Sequence, residues 1–199
     1  LLPAKQVKHL AAITEPKRVG ELMRMIDGYE GNIVTMAALK LIPLVFVRSL
    51  ELRQAKWCDI NLAEGMWKFT LTKTSTEHAV PLSHQAIRIL KDLYPYTKDH
   101  VYVFYSGTSS KQILSENTLS SALRKLGIPK EEMSVHGFRA MARTLCHERL
   151  YIKPEVIEHQ LGHKVPDALG QAYNRTRFID DRIQLMQQWA DYLDQLKQG

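Results

Sequence analysis

The sequence predicts a mainly α-helical domain with one small antiparallel β-sheet, an α+β fold, and two observations predict it. Apolar residues recur at three- and four-residue spacing through most of the chain, as they do on one face of a helix. One stretch, MWKFTLTKTSTEHAVPLS from Met66, interrupts that texture with aromatic and β-branched residues broken by turn formers. The chain has 199 residues, 45% hydrophobic and 24% charged, enough to bury a core in one globular domain. Its longest apolar run, near Leu41 to Val47, is far short of the roughly 20 residues a membrane helix needs.

Residues 1–17 are polar, with Pro3 and Pro16, and predict a linker into the first helix. That helix starts at Arg18, turns Val19, Leu22, Met23 and Ile26 to one side, and ends at Gly28 or Gly31. A second helix, from about Asn32 to Phe46, is so densely apolar that it reads as a central core helix, kinked or broken at Pro43. Arg48 then opens a short helical turn. Strands follow near 66–72 and 77–81 around a Lys-Thr-Ser-Thr turn, and YVFYS at 102–106 offers a third. Ser83 caps a helix from about 84 to 94, with Ile87, Leu90 and Leu93 inward. Ser115 precedes another, running to Leu126 and closed by Gly127 and Pro129. The remaining helices fall at about 134–149, 154–162, 166–173 and 179–197. In the last, Ile179, Ile183, Met186, Trp189, Leu193 and Leu196 make an apolar seam, which must either fold back on its own core or dock on a neighbour.

The chemistry-bearing residues concentrate between His136 and Arg175: HGFR at 136–139, LGH at 161–163 and AYNR at 172–175. His136 and Arg139 share one face of a helix and can converge on one group of ligand atoms, and Gly137 lets the helix start approach a partner's backbone. Arg presents a permanent cationic fork suited to phosphate oxygens, and His exchanges a proton near neutral pH. A tyrosine hydroxyl becomes a nucleophile only where cations and a base surround it. His159 and His163 stand four apart like a zinc pair, but HQLGH lacks the Glu of a metalloprotease motif and no third ligand is evident, so no metal site is read. A net charge of +6 and a pI near 9.3 favour a polyanionic partner. Cys58 and Cys146, far apart and without a CxxC, read as reduced residues. The start, LLPAKQVKHL, lacks both an initiator Met and a signal-peptide pattern, so a cut end of a longer cytoplasmic protein is expected.

These boxes, in this order, resemble the tyrosine recombinases, the phage-type integrases. The segments around them, including MQQWADYLD near the end, look most like integrases of P4-like prophages and genomic islands. The resemblance covers nearly the whole chain. It makes Arg48 and Glu51, in RSLEL, the first box, with Ser49-Leu50 where the family often has Pro-Gly or a similar pair; taken alone, the two would be an ordinary surface ion pair.

The resemblance implies a catalytic domain at 18–178 that cleaves and rejoins DNA for integration or excision of a mobile element, with 1–17 leading from a DNA-binding region and 179–199 docking in trans. Arg48 and Arg139 would clamp the scissile phosphate, Glu51 would orient the groups around it, and His163 would donate a hydrogen bond to a phosphate oxygen. Tyr173 would attack phosphorus, giving a 3′-phosphotyrosyl intermediate and a free 5′ hydroxyl; Tyr94, Tyr96, Tyr102, Tyr105 and Tyr192 read as packing residues. His136 would accept the Tyr173 proton, and Lys73, at the hairpin turn, would protonate the departing oxygen, with Lys68 the alternative. Such chemistry implies no cofactor and no metal ion. Lys111, Arg124, Lys125, Arg143, Lys164, Arg175 and Arg177 are candidate phosphate contacts. The implied partner is double-stranded DNA at attachment sites. The full-length protein would bind it as a homotetramer and these 199 residues as a monomer, with accessory DNA-bending and excision factors and no membrane. Two alternatives run beside this one: a type IB topoisomerase, against which the motif order and LGH speak, and a prophage relic that binds DNA without cutting it.

Overall fold

The computed structural model describes residues 11–107, 109–163 and 178–199, with the backbone alone at 109–111. Its first helix, α1 (Pro16–Asp27), begins two residues before the expected start. Pro16 presets the first turn, and the Glu15 carboxylate accepts from the backbone N–H groups of Lys17 and Arg18. Residues 11–15, which the sequence assigns to a linker, lie on the core: Ile13 is buried, and the Ala11 carbonyl accepts from the backbone and hydroxyl of Ser134.

The central helix is α2 (Ile33–Val45), capped by the Asn32 side chain and buried on almost every side. Pro43 does not break it. The Pro43 carbonyl accepts from the indole of Trp189, and the helix ends at Phe46, held at φ 59°. Next come α3 (Ser49–Arg53) and a three-stranded antiparallel sheet of β1 (Ile60–Asn61), β2 (Met66–Thr70) and β3 (Glu77–Pro81), in the order β1-β2-β3. Trp67 faces Val80 and Phe69 faces His78 across the central pair.

The sheet's third strand is therefore β1, not the 102–106 stretch. Residues 105–106 form β4 (Tyr105–Ser106), which pairs with β5 (Ser109–Ile113) in a separate hairpin. The physical reason is local: a turn at 62–65, with the Asn61 side chain accepting from Ala63 and Glu64, folds 60–61 straight back onto β2. Between these sheets lies α4 (His84–Thr97), capped by Ser83 and running past its expected end through Pro95. Its inward residues are Ala86, Leu90 and Leu93, with Ile87 only partly covered.

The remaining elements are α5 (Thr118–Lys125), α6 (Gly137–Glu148), α7 (Pro154–Gln160) and α8 (Ile179–Gln198); the helix expected around 166–173 lies outside the described residues. Helix α8 packs on α1, α2, α7 and β3 of its own chain. Its covered face is Arg182, Leu185, Met186, Trp189, Ala190 and Leu193, so Ile183, counted in the expected seam, faces solvent and Arg182 lies inward. The guanidinium of Arg182 donates to Gln160 Oε1 and to the Ala79 carbonyl, which is what makes an arginine tolerable there.

His78 belongs to the same junction. Its ring packs edge-on against Phe69, and Nε2 donates to the Gln160 carbonyl at 3.2 Å. Burial first, and the charge of Arg182 second, push its pKa down to about 3. The unfolded chain takes up a proton near pH 6.5 that the folded chain refuses, so stability is lost as pH falls below that value. Between pH 7 and about pH 5 the loss from this group reaches about 2 kcal/mol. Urea unfolding across that range should show this slope in the wild type and a shallower one in His78→Gln; equal slopes would mean that His78 titrates normally in the fold.

Candidate active site

The site forms where several elements end. At the end of α2, the left-handed turn at Phe46 aims its carbonyl at the Arg139 guanidinium, which donates to it through Nη1. Two residues on, Arg48 begins α3. Glu51 reaches back, accepting from the Arg48 backbone at 2.7 Å through Oε2 and from its guanidinium at 2.8 Å through Oε1. The Glu51 side chain is 1% exposed, so the pair is not the surface ion pair that its spacing alone would suggest.

At the start of α6, the Ser134 hydroxyl accepts from the Gly137 N–H, and the exposed His136 side chain takes no part in the cap. Gly137 does serve a close approach, but to its own chain: a Cβ there would sit 2.3 Å from the Ala11 carbonyl oxygen. One turn in, Arg139 is 5% exposed. Besides Phe46, it donates through Nη2 to the Leu161 carbonyl at 2.9 Å, and the same nitrogen stands 3.1 Å from His163 Nε2.

The end of α7 supplies His163. Gly162 is left-handed at φ 66°, its N–H donates to the His159 carbonyl, and the His163 N–H donates to the Glu158 carbonyl. This Schellman closure folds residue 163 back over residue 158. The imidazole Nδ1 accordingly lies 2.6 Å from Glu158 Oε2, while Arg143 donates to Glu158 Oε1. The second histidine of the apparent pair, His159, instead packs on the Phe178 ring.

The charges at these ends share one field. Burial first, then the neighbouring Arg48, pushes Arg139 down to about 10 against the pull of Glu51 and Glu158. Partial desolvation of its ring first, then the guanidinium charges of Arg139 and Arg48, lower His136, which leaves it neutral and able to accept a proton near neutral pH. The structure thus brings together Arg48, Glu51, His136, Arg139 and His163. Lys73 is exposed in the β2–β3 turn, and among the described residues no hydrogen bond or ion pair joins it to that cluster. The base of its hairpin lies against Gly162, next to His163: a Cβ on Gly162 would meet Leu71 at 2.9 Å. Lys68 is exposed along β2.

Tyr173 lies outside the described residues, as do Lys164, Arg175 and Arg177, and so does the side chain of Lys111. Among the other candidate DNA contacts, Arg124 donates to the Met133 carbonyl, Lys125 to the Glu30 carbonyl beside the Tyr29 ring, and Arg143 to Glu158. Of the tyrosines expected to pack, Tyr94 meets Trp57 edge-on and Tyr105 stacks on His100, but Tyr96 is 61% exposed. Two participants escape sequence reasoning, Glu158 and Arg182. Gly162 signals the first, since a Schellman closure at that glycine sets residue 158 against 163. An arginine in line with Leu185, Met186 and Trp189 signals the second.

A helical domain with a small antiparallel sheet has the architecture of tyrosine recombinase catalytic domains. Solved structures agree on the fold: XerA recombinase (TM-score 0.62, 19% identity, 92% of this chain and 65% of that one) and the integrase of mycobacterium phage Brujita (TM-score 0.67, 14% identity, 96% and 64%). The Phage integrase family model matches residues 12–178, and the chain belongs to that family. It is 35% identical to the putative protein IntB of Escherichia coli K12, over 90% of this chain and 50% of that protein, and 34% identical to the integrase of Enterobacteria phage P4, over 97% and 47%. The chain thus spans about half the length of these relatives.

Gly162 connects backbone geometry to the site and can be tested alone. In Gly162→Ala, a side chain in the left-handed region costs about 1–2 kcal/mol, and the contact with Leu71 adds to it. Denaturant unfolding should register at least that loss; a change under about 0.5 kcal/mol would show that the turn accommodates alanine.

Proposed function

We propose that this chain is the catalytic part of a site-specific DNA recombinase, cutting and rejoining DNA strands through a 3′-phosphotyrosyl intermediate on Tyr173 to integrate or excise a mobile element. The observation that carries this is Arg139, buried yet with its guanidinium turned to His163 and sharing a field with Arg48 and His136. Such a cluster suits a phosphodiester whose negative charge grows in the transition state. Arg48 and Arg139 hold the non-bridging oxygens and Glu51 keeps Arg48 aimed. His136 takes the Tyr173 proton, and Lys73, on its exposed turn, reaches the leaving 5′ oxygen once DNA fills the site. The phosphotyrosyl bond conserves the energy of the broken phosphodiester, so rejoining needs no nucleotide cofactor. One relative in fold, lambda integrase, is known as a dimer bound to a core site and as a tetramer bound to a Holliday junction, which supports DNA as the partner and assembly on it. The residues before Ala11 would lead from a further DNA-binding region, and the whole protein would act in the cytoplasm.

Covalent trapping on a suicide DNA substrate tests this. The wild type and Tyr151→Phe, which alters a tyrosine 86% exposed on the α6–α7 link, should both form a protein–DNA adduct, in EDTA as well, and Tyr173→Phe should form none. Strand exchange between two duplexes, rather than relaxation of one, separates recombinase from topoisomerase. Absence of an adduct, both from these residues and from a longer chain carrying the N-terminal region, would leave a DNA-binding protein that does not cut.

Binding by these residues alone should be weak and steeply salt-dependent. If about four phosphates are contacted, affinity falls roughly a hundredfold between about 50 and 200 mM salt. A nanomolar complex indifferent to salt would contradict the assignment of phosphate-led binding.

A further inference from the structure

Among its hydrogen-bond partners, His163 has an acceptor on one side and a donor on the other. Glu158, on α7, is an ionised carboxylate: partial burial opposes its charge, but hydrogen bonds from His163 and Arg143 outweigh that and hold it below the ordinary carboxylate range. A carboxylate only accepts, so Nδ1, at 2.6 Å, carries the proton. A guanidinium only donates, so Nε2, 3.1 Å from Arg139 on α6, is an acceptor. Both partners thus select the neutral Nδ1–H tautomer, and in that form His163 cannot donate to a phosphate oxygen.

We propose that Glu158 is a positioning residue that switches His163 from acceptor to donor when a phosphate arrives, an inference that rests on the recombinase function above. A phosphate oxygen competes for Arg139 Nη2 and releases Nε2. The freed nitrogen takes one proton from solvent and donates it to the phosphate as an N–H···O bond, while Nδ1–H remains on Glu158. The imidazolium so formed sits among the cations Arg48 on α3 and Arg139 on α6, with neutral His136 nearby, and Glu158 is the anion in contact with it. No bond to phosphorus changes in this step, and one proton is gained. The Schellman turn at Gly162 makes the arrangement possible, because it places a side chain at position 163 over one at 158. Arg143 holds the other carboxylate oxygen, which restrains Glu158 where Nδ1 meets it.

Nitrogen-15 spectra of His163, together with adduct formation, test the proposal. The free wild-type protein should show a protonated Nδ1 and a bare Nε2, and its complex with uncleaved DNA in the Tyr173→Phe background should show both nitrogens protonated. Glu158→Gln keeps an acceptor for Nδ1–H but removes the charge. Its His163 should stay neutral in the complex, and adduct formation should slow by more than about tenfold while DNA affinity changes less than about threefold. Glu158→Asp, which restores the charge, should recover part of the rate. An Nε2–H tautomer in the free wild type would overturn the proposal, as would a doubly protonated His163 in the Glu158→Gln complex with an unchanged rate. If the wild type forms no adduct at all, the recombinase function fails, and the tautomer in the free protein still decides whether Glu158 sets the state of His163.

Discussion

The buried guanidinium of Arg139 is the constraint on which the rest depends. An arginine so little exposed must have its donors satisfied, and here they go to carbonyls at the ends of two helices and to one imidazole. Those partners come from α2, α7 and the residues just past α7, so one side chain of α6 fixes how three helices meet. It also suits the proposed site, since a cation that is already desolvated and already oriented would lose little if a phosphate reached it. Under the proposed function, packing and chemistry rest on the same atoms, and a change at Arg139 would disturb both.

Helix ends supply the remaining groups because chain ends leave carbonyls and N–H groups free to be aimed. Phe46 closes α2 in the left-handed region and turns its carbonyl inward; Gly162 does the same for α7 and returns His163 toward Glu158. Glu51 caps α3 with one oxygen and holds Arg48 with the other. Below this layer, Arg182 and His78 fasten α8 and β3 to Gln160, the last residue of α7. The described chain on either side of residues 164–177 is thus anchored to the same helix.

Much of this was legible in residues and spacing. The helical periods, the cap at Ser83 and the hairpin at 66–81 read directly from local chemistry, and the boxes around Arg48, Arg139 and His163 pointed to groups that do converge. What did not read were features decided by distant contacts. Pro43 looked like a break, yet sits unbroken inside a helix whose carbonyl at that point is bound by Trp189, 146 residues away. The 102–106 stretch looked like the third strand, but a short turn gave that place to residues 60–61. Ile183 fitted the terminal seam by spacing, yet Arg182 occupies the inner face because Gln160 and Ala79 satisfy it. Glu158 carried no signal of its own, since its role exists only once Gly162 turns the chain.

The most direct measurement is the structure of Tyr173→Phe bound to an uncleaved DNA duplex. The scissile phosphate should lie within hydrogen-bond distance of Arg48, Arg139 and His163, with His163 Nε2 turned from Arg139 to a phosphate oxygen and Nδ1 still on Glu158. A scissile phosphate bound elsewhere, with Arg139 still engaged only by Phe46, Leu161 and His163, would show that this buried guanidinium is a strut of the fold and not the centre of its chemistry.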